Sequence, residues 1–380
     1  MQQWLPERPA SNTASGVEAL FSNTTGTENT ATGAGALGTN TIGNFNTASG
    51  ADALGMNTTD ESNTAGGVEA LFSNSTGAHN TATGAEALFS NTIGHFNTAA
   101  GGTALALNTT GAFNTAAGAS ALALNTTGNQ NTGVGQAALY NNTSGQFNTG
   151  AGLNALLSNS VGNSNTAVGH GALRNSTTGS NNIGLGVNAG FNSSIGSNNI
   201  DIGNTGVAAE SRTIRIGTQG AHTRTFMGGI FGSMVTGDAV MVSNTGQLGI
   251  VVSSARYKRD IHDMGNFSEA LMKLRPVAFR YKDDPSQQRQ YGLVAEEVAR
   301  AYPDLVSRDA AGEVVSVHYH ELVPMLLNEV QKQAQQIKSL NAKIAQDQAQ
   351  RASFEQRLLA LERTFTVRDR NQTLAAALER

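Results

Sequence analysis

Ser253 and Lys258, five residues apart, are the residues whose types and spacing could do covalent chemistry in this chain. A lysine that is removed from water can lose its proton near neutral pH and then accept the proton of a serine hydroxyl. The serine oxygen becomes a nucleophile without a histidine, as in Ser-Lys variants of the catalytic triad. Such pairs also arise by chance, so from spacing alone a solvated basic turn is the simpler interpretation.

Few other groups could take part in catalysis. His318 and His320 could assist or orient the pair, although polar residues at a strand end and a helix start are the simpler interpretation. The chain has no Cys, which excludes disulfides, thiolate metal ligands and Cys nucleophiles. We expect neither a metal nor a cofactor.

Charge divides the chain in two. Residues 1–252 carry 5 basic and 11 acidic side chains, whereas residues 253–380 carry 19 and 17. The net charge of the whole chain is −4, so no basic field is present to bind nucleic acid. No apolar run approaches the ~20 residues of a membrane span, and the first residues lack a signal-peptide core. We expect no nucleic-acid partner and no membrane insertion.

A fixed short period dominates the first part of the chain, and its seventeen-letter consensus is NTAxGxxALxxNTTGxx. Counting Asn12 as repeat position one, position five is Gly in every copy and position nine is Leu from Leu20 to Leu173. Position fifteen is Gly except at Asp60, and eleven full copies cover 12–198. Strict repetition of one short unit is the sequence signature of a solenoid.

The repeat unit favours short strands over helices. Seventeen residues are too few for a helix pair, and each Gly in a helix interior costs about 1 kcal/mol. Coils with turns at the Gly and Asn positions would stack at roughly 4.8 Å per coil into a rod of about 50 Å. The Ala-Leu pair and one variable residue make a thin core for a lone coil. We therefore expect three chains to pool their Ala-Leu faces in a trimeric β-roll over 12–203.

Several repeat positions have both structural and functional interpretations. Asn at positions one and twelve is expected to form ladders that satisfy buried turn backbones, with a sugar-binding row as the alternative. Thr at positions two and thirteen is typical of a sheet surface, with an ice-matching lattice as the alternative. No pair of carboxylates at the roughly 5–10 Å separation of a glycosidase is obvious in the repeats, so glycan hydrolysis is not expected. The carboxylates are Glu18, Glu28, Asp52, Asp60, Glu61, Glu69 and Glu86.

The pattern changes twice after the repeats. Residues 204–252 alternate apolar and polar side chains between Gly and Asn turns, which predicts a neck of short strands. From 253 a small α+β pattern follows. It predicts helices at 267–274 and 295–302, strands at 276–282 and 290–294, a hairpin turning at Ala311-Gly312, and a long helix from 320.

The long helix carries a heptad seam, which predicts a coiled coil of about 54 Å over 329–366. Polar residues interrupt the seam at Gln333, Asp347 and Arg351. The seam residues are Val330, Ile337, Leu340, Ile344, Phe354, Leu358, Leu361 and Phe365. The predicted divisions are an N-terminal attachment segment (1–11), the β-roll (12–203), the neck (204–252), an α+β domain (253–328), the coiled coil (329–366) and a C-terminal tail (367–380).

Several motifs follow residue 252 in order: SSARYKRDI, LRPVAFRYK, YGLVAEEV, a DLV strand and YHELVPMLLNEVQKQ. Together, over about 253–340, they resemble the endosialidase-type C-terminal intramolecular chaperone domain. That domain is found on phage tail spikes, on fibre-like bacterial proteins and in a membrane-tethered animal transcription factor. The repeats are similar to NTAxG-type fibre repeats and, more distantly, to the β-roll heads of trimeric autotransporter adhesins.

The resemblance implies a domain that trimerises, assembles the upstream fibre and then cuts itself off just before its serine. It makes Ser253 the nucleophile, Lys258 the base and Val252–Ser253 the scissile bond of a single-turnover serine endopeptidase, with no other activity expected. The chain would be a homotrimeric fibre of a virion tail or a bacterial surface, with a host-surface glycan or receptor as external partner. The alternatives are a structural fibre with an inactive chaperone and a glycan-binding or glycan-processing tail spike.

Overall fold

The computed structural model describes residues 11–228, 230, 234–309 and 311–378. They form two compact units, which divide between residues 233 and 234. The predicted attachment segment, 1–11, lies outside the described residues except for Ser11. None of the described helices is long and apolar enough to span a membrane.

The first unit is a β-solenoid with one three-residue strand per coil, as the repeat predicts. Thirteen strands form one parallel sheet in sequence order, and equivalent residues of successive copies pair in register, as Thr30 does with Thr47. In the last pair of strands Ile200 pairs with Ile214, so the sheet includes one strand from the segment predicted as the neck. The strands are β1 (Thr13–Ser15), β2 (Thr30–Thr32), β3 (Thr47–Ser49), β4 (Thr64–Gly66), β5 (Thr81–Thr83), β6 (Thr98–Ala100), β7 (Thr115–Ala117), β8 (Thr132–Val134), β9 (Thr149–Ala151), β10 (Thr166–Val168), β11 (Ile183–Leu185), β12 (Ile200–Ile202) and β13 (Ile214–Ile216).

Each coil encloses its own apolar core. Ala31, Ala36 and Leu37, at repeat positions three, eight and nine, are fully buried, as are their counterparts in the following copies. Leu37 has a φ of 52°, a left-handed conformation that costs a non-glycine residue roughly 1–2 kcal/mol. Burial of a Leu side chain contributes about 1.5–3 kcal/mol, which offsets that cost. The expected pooling of Ala-Leu faces between three chains is wrong for these coils, because the pair has no exposed surface left to share.

Two ladders of buried Asn complete the interior, as predicted. At position one, the Asn46 backbone N–H donates to Asn29 Oδ1 (2.9 Å), and Asn29 Nδ2 donates to the Gly43 carbonyl (2.7 Å). At position twelve, Asn91 Nδ2 donates to Asn74 Oδ1 at 2.8 Å and to the carbonyl of the following turn. Since a buried polar group without a partner costs about 1–3 kcal/mol, these repeated bonds satisfy amides that would otherwise oppose folding.

The second unit has the predicted order of elements. Its described residues contain three antiparallel strand pairs, two α-helices and three 3-10 helices. The pairs and α-helices are β14 (Val240–Val242) with β15 (Leu248–Ile250), β16 (Val277–Phe279) with β17 (Gln290–Gly292), β18 (Val306–Arg308) with β19 (Val314–Val317), α1 (Ala295–Ala301) and α2 (Tyr319–Leu378). The helix predicted at 267–274 is a 3-10 helix, Gly265–Lys273. Its i to i−3 bonding is seen where Leu274 N–H donates to the Leu271 carbonyl at 3.1 Å.

A buried polar contact joins this 3-10 helix to α2. Ser268 is fully buried and donates to Glu329 Oε1 at 2.6 Å, while Asn328 Nδ2 donates to Ser268 Oγ at 2.6 Å. The Ser268 hydroxyl and the nearby Lys332 ammonium lower the pKa of the Glu329 carboxyl. The second unit therefore fixes the first part of α2 through specific hydrogen bonds as well as apolar packing.

Candidate functional site

A short turn brings Ser253 and Lys258 together. Lys258 Nζ donates to Ser253 Oγ at 3.0 Å. The five-residue interval folds back through a 3-10 turn over Ala255–Tyr257, in which Tyr257 N–H donates to the Ser254 carbonyl at 3.0 Å. Contact within hydrogen-bond reach is the geometric requirement for proton transfer between a nucleophile and its base.

The site is open to water in a single chain. Ser253 and Lys258 are exposed, and Val252 is 51% exposed. Lys258 donates in the observed contact, whereas a base must be neutral and accept the hydroxyl proton. Removal from water favours the neutral form of a lysine, so a role for Lys258 as a base would need the site to be covered. Nothing within the described part of one chain supplies that cover.

The segment before the site is apolar and uncovered as well. The β14–β15 hairpin exposes aliphatic side chains on both of its strands, and the exposed Val251 and Val252 follow directly. Contiguous exposed apolar surface of this kind indicates packing against another surface.

His318 and His320 contact groups other than the serine–lysine pair. His318 Nε2 lies 3.0 Å from Ser307 Oγ, and its Nδ1 lies 3.4 Å from Glu321 Oε1. His320 Nε2 lies 3.6 Å from the same Glu321 oxygen. These are the contacts of strand-end and helix-start side chains, and assistance to Ser253 stays a prediction.

Three of the solenoid carboxylates are regularly spaced, so the sequence does contain close pairs. Asp52, Glu69 and Glu86 occupy position seven of consecutive coils, so their backbones stack at roughly 4.8 Å per coil. Separation alone therefore does not exclude a glycosidase pair. A glycosidase acid is kept protonated by burial, however, and Asp52 and Glu86 are exposed.

Asp60 interrupts the Gly row at repeat position fifteen, where every other full copy has Gly. Its Oδ2 is occluded and has no hydrogen-bond partner, and the same holds for Nδ2 of the fully buried Asn63 nearby. Burial, with a smaller contribution from Glu61, raises the pKa of Asp60 to about 6.

The raised pKa predicts that the solenoid loses stability as the pH rises from about 4 to about 6. The folded state binds the Asp60 proton more tightly than the unfolded chain, so the stabilisation is full below the ordinary pKa and is lost above the folded one. For a half-buried group partly screened by water, we expect a difference of about 1–2 kcal/mol. Asp60→Gly and Asp60→Asn should both remove this pH dependence in urea unfolding. A wild-type slope that persists in both variants would contradict the assignment.

One segment of the second unit matches a known protein family. Residues 253–307 match the peptidase family described as the chaperone of endosialidase. The matched segment begins at Ser253, the serine of the observed contact. The family implies a self-cleaving peptidase and suggests a fibre with a C-terminal chaperone. A search of curated proteins finds no match, and a search of solved structures finds none.

Some contacts of the chaperone domain were missed by the sequence analysis. Tyr319 Oη accepts a hydrogen bond from Leu293 N–H at 2.9 Å and joins the end of β17 to the start of α2. A Cβ on Gly292 would lie 2.6 Å from that hydroxyl. The Gly in the YGLV motif is therefore the sequence feature that could have indicated this contact. The Ser307–His318 contact depends on the pairing of Val306 with Val317 and has no sequence signal of its own.

Proposed function

We propose that the chain is a homotrimeric fibre whose C-terminal chaperone domain drives trimerisation and folding and is then released by cleavage of the Val252–Ser253 bond. The observation that carries the proposal is the 3.0 Å contact between Ser253 and Lys258 at the first residue of the matched family segment. Ser253 is the nucleophile and Lys258 the general base.

The cleavage chemistry needs no bound substrate, because the nucleophile is next to its own target carbonyl. Neutral Lys258 accepts the hydroxyl proton while Ser253 Oγ bonds to the carbonyl carbon of Val252. The Val252–Ser253 C–N bond then breaks, the proton passes from Lys258 to the Ser253 amine, and Val252 is left as an ester on Ser253 Oγ. Water hydrolyses the ester to a Val252 carboxylate and a free hydroxyl. This proximity lowers the activation barrier by several kcal/mol.

The surface of α2 supports association of chains. The helix is continuous over 60 residues, or about 90 Å, and its predicted seam residues are all exposed in one chain. A helix with a long exposed apolar stripe at 3-4 spacing is stabilised by packing against copies of itself. We propose that assembly of the chains also covers the exposed serine–lysine pair, which would link cleavage to assembly.

A fibre of short identical repeats has a reason to use such a domain. Strands that repeat one short sequence many times can pair in wrong registers at small energetic cost. A module that joins the chains would hold the C-terminal end of each solenoid while its own coils stack in order. Removal of the module after assembly prevents the fibre from unfolding by the reverse of its assembly pathway. The fibre then persists by kinetic stability.

The proposal is tested by the products of the purified protein. A denaturing gel should show two fragments, 1–252 and 253–380, and N-terminal sequencing of the smaller one should begin at Ser253. A single intact 380-residue band after assembly, at every pH and time tested, would indicate a structural fibre with an inactive chaperone.

Disrupting the seam should reduce both association and cleavage. Ile337→Asp with Ile344→Asp places carboxylates in the apolar interface, and each would cost several kcal/mol to bury without a partner. We expect monomers at micromolar concentration and little cleavage, measured by light scattering and gel. Ser339→Asp with Gln346→Asp adds the same charge off the seam and should leave both unchanged. Cleavage at the normal rate in a proven monomer would show that one chain completes the site.

A further inference from the structure

The outer face of the solenoid sheet changes chemistry along the rod. In each strand the first and third residues point outward and the second points into the core, as the burial of β2 and β11 shows. The first residue is Thr in all of β1–β10, whereas β11–β13 have Ile there and Leu or Ile as the third residue. Four of these aliphatic side chains are substantially exposed: Ile183 (41%), Leu185 (46%), Ile214 (66%) and Ile216 (65%).

Folding of the coil does not explain these aliphatic residues. Thr166 pairs in register with Ile183 in the same parallel sheet, so the backbone accepts Thr at this position. Thr and Ile both have high strand propensity, and the core of the coil is formed by the inward-facing residue between them. Contiguous exposed apolar surface of this kind marks a contact with another molecule. We define the outward side chains of β11–β13 as the aliphatic face.

We propose that copies of this chain pack against one another through the aliphatic face, while the Thr rows of β1–β10 stay open to solvent. The inference rests on the proposed trimer and assigns where its rods meet. The aliphatic face has no charged or hydrogen-bonding side chain, so it offers no group with which to recognise a glycan or an acidic or basic partner. Flat sheet faces of this composition pack by interdigitating aliphatic side chains at about 10 Å.

Symmetry favours a second copy of this chain as the occupant. Identical copies in the proposed assembly each present the same face, and like surfaces about a symmetry axis can cover each other. The coils of β11–β13 are also the last of the solenoid before the chain continues to the chaperone domain. The next described strands, in the β14–β15 hairpin of the second unit, also expose aliphatic residues.

The absence of Cys allows a direct test, because one introduced Cys reports one position. Leu185→Cys and Ile216→Cys place a nitroxide label on the aliphatic face. Ile195→Cys, also an exposed aliphatic position, places it at repeat position fourteen, outside the sheet. All are made in the full chain with Ser253→Ala, so that the chaperone domain stays attached. We expect label pairs within about 20 Å on the aliphatic face, twice the packing distance of two sheets, and clearly longer distances for Ile195→Cys.

A second variant keeps the label at Leu185→Cys and replaces the other exposed residues of the aliphatic face through Ile183→Thr, Ile214→Thr and Ile216→Thr. The label at Ile216→Cys is combined with Ile183→Thr, Leu185→Thr and Ile214→Thr. The labelled distances should then lengthen to those of the control, while light scattering still gives three chains held by α2. A trimer whose face labels are no closer than the control labels would overturn the proposed surface and leave the proposed function standing. A monomer would overturn the proposed function, and this surface with it.

Discussion

Replacing Ser253 with Ala is expected to leave an intact 380-residue chain where the unchanged protein yields the fragments 1–252 and 253–380. Without Oγ no group can attack the Val252 carbonyl, so the cleavage rate should fall by at least about 10³-fold. The side chain is exposed, so the change should alter the free energy of unfolding by no more than about 0.5 kcal/mol. Denaturing gels and intact mass measure the first effect, and light scattering should still give a trimer.

Lys258→Arg tests whether cleavage needs the positive charge at this position or the ability of the side chain to accept a proton. A guanidinium keeps its proton, so it retains the positive charge but cannot accept the serine proton, and cleavage should fail. Ser254→Ala is the matched control and should cut normally. If Ser254→Ala blocks cleavage and Ser253→Ala does not, the nucleophile is one residue later. Cleavage that survives Lys258→Arg would point to His318 or His320 as the base.

The solenoid could be predicted from the sequence because the repeat specifies it many times over. Each copy has Gly at the corners and Asn at two interior positions, and the Asn ladders follow directly. The core was misjudged because the buried Asn side chains were not counted as filling it. Two Asn per coil, such as Asn29 and Asn40, occupy interior volume and are fully buried. The left-handed conformation of Leu37 could not be predicted either. It is unfavourable for an isolated residue, and only burial of the side chain in the folded coil offsets its cost.

The candidate site was predictable only in part. The five-residue spacing of Ser253 and Lys258 fits the 3-10 turn that joins them, and local geometry of this kind is encoded in a few adjacent residues. The placement of His318 beside Ser307 depends on the pairing of β18 with β19, which motif spacing does not specify. The cover that the proposed mechanism requires would come from packing between chains, and no local pattern in one chain encodes it.

The Gly row at repeat position five supports a second prediction with a large effect. Gly101 has a φ of 138°, and a Cβ there would lie 2.6 Å from the backbone carbonyl oxygen of Gly118 in the next coil. Gly101→Ala must therefore strain the backbone and push two coils apart. We expect a loss of roughly 2–6 kcal/mol, combining backbone strain with overpacking. Because each coil contacts only its neighbours, hydrogen exchange should rise most in the coils on either side of the substitution.

The adjacent Gly102 provides the matched control. A Cβ at Gly102 would find its nearest neighbour, the Ala85 carbonyl, at 3.9 Å, and the equivalent position is Ala in several other copies. Gly102→Ala should be neutral or stabilising by about 0.4–1 kcal/mol, since it reduces the freedom of the unfolded chain without strain. Equal effects of the two substitutions in urea unfolding would contradict this reasoning. Coil-to-coil contact at the Gly row would then not be the constraint that keeps position five as Gly.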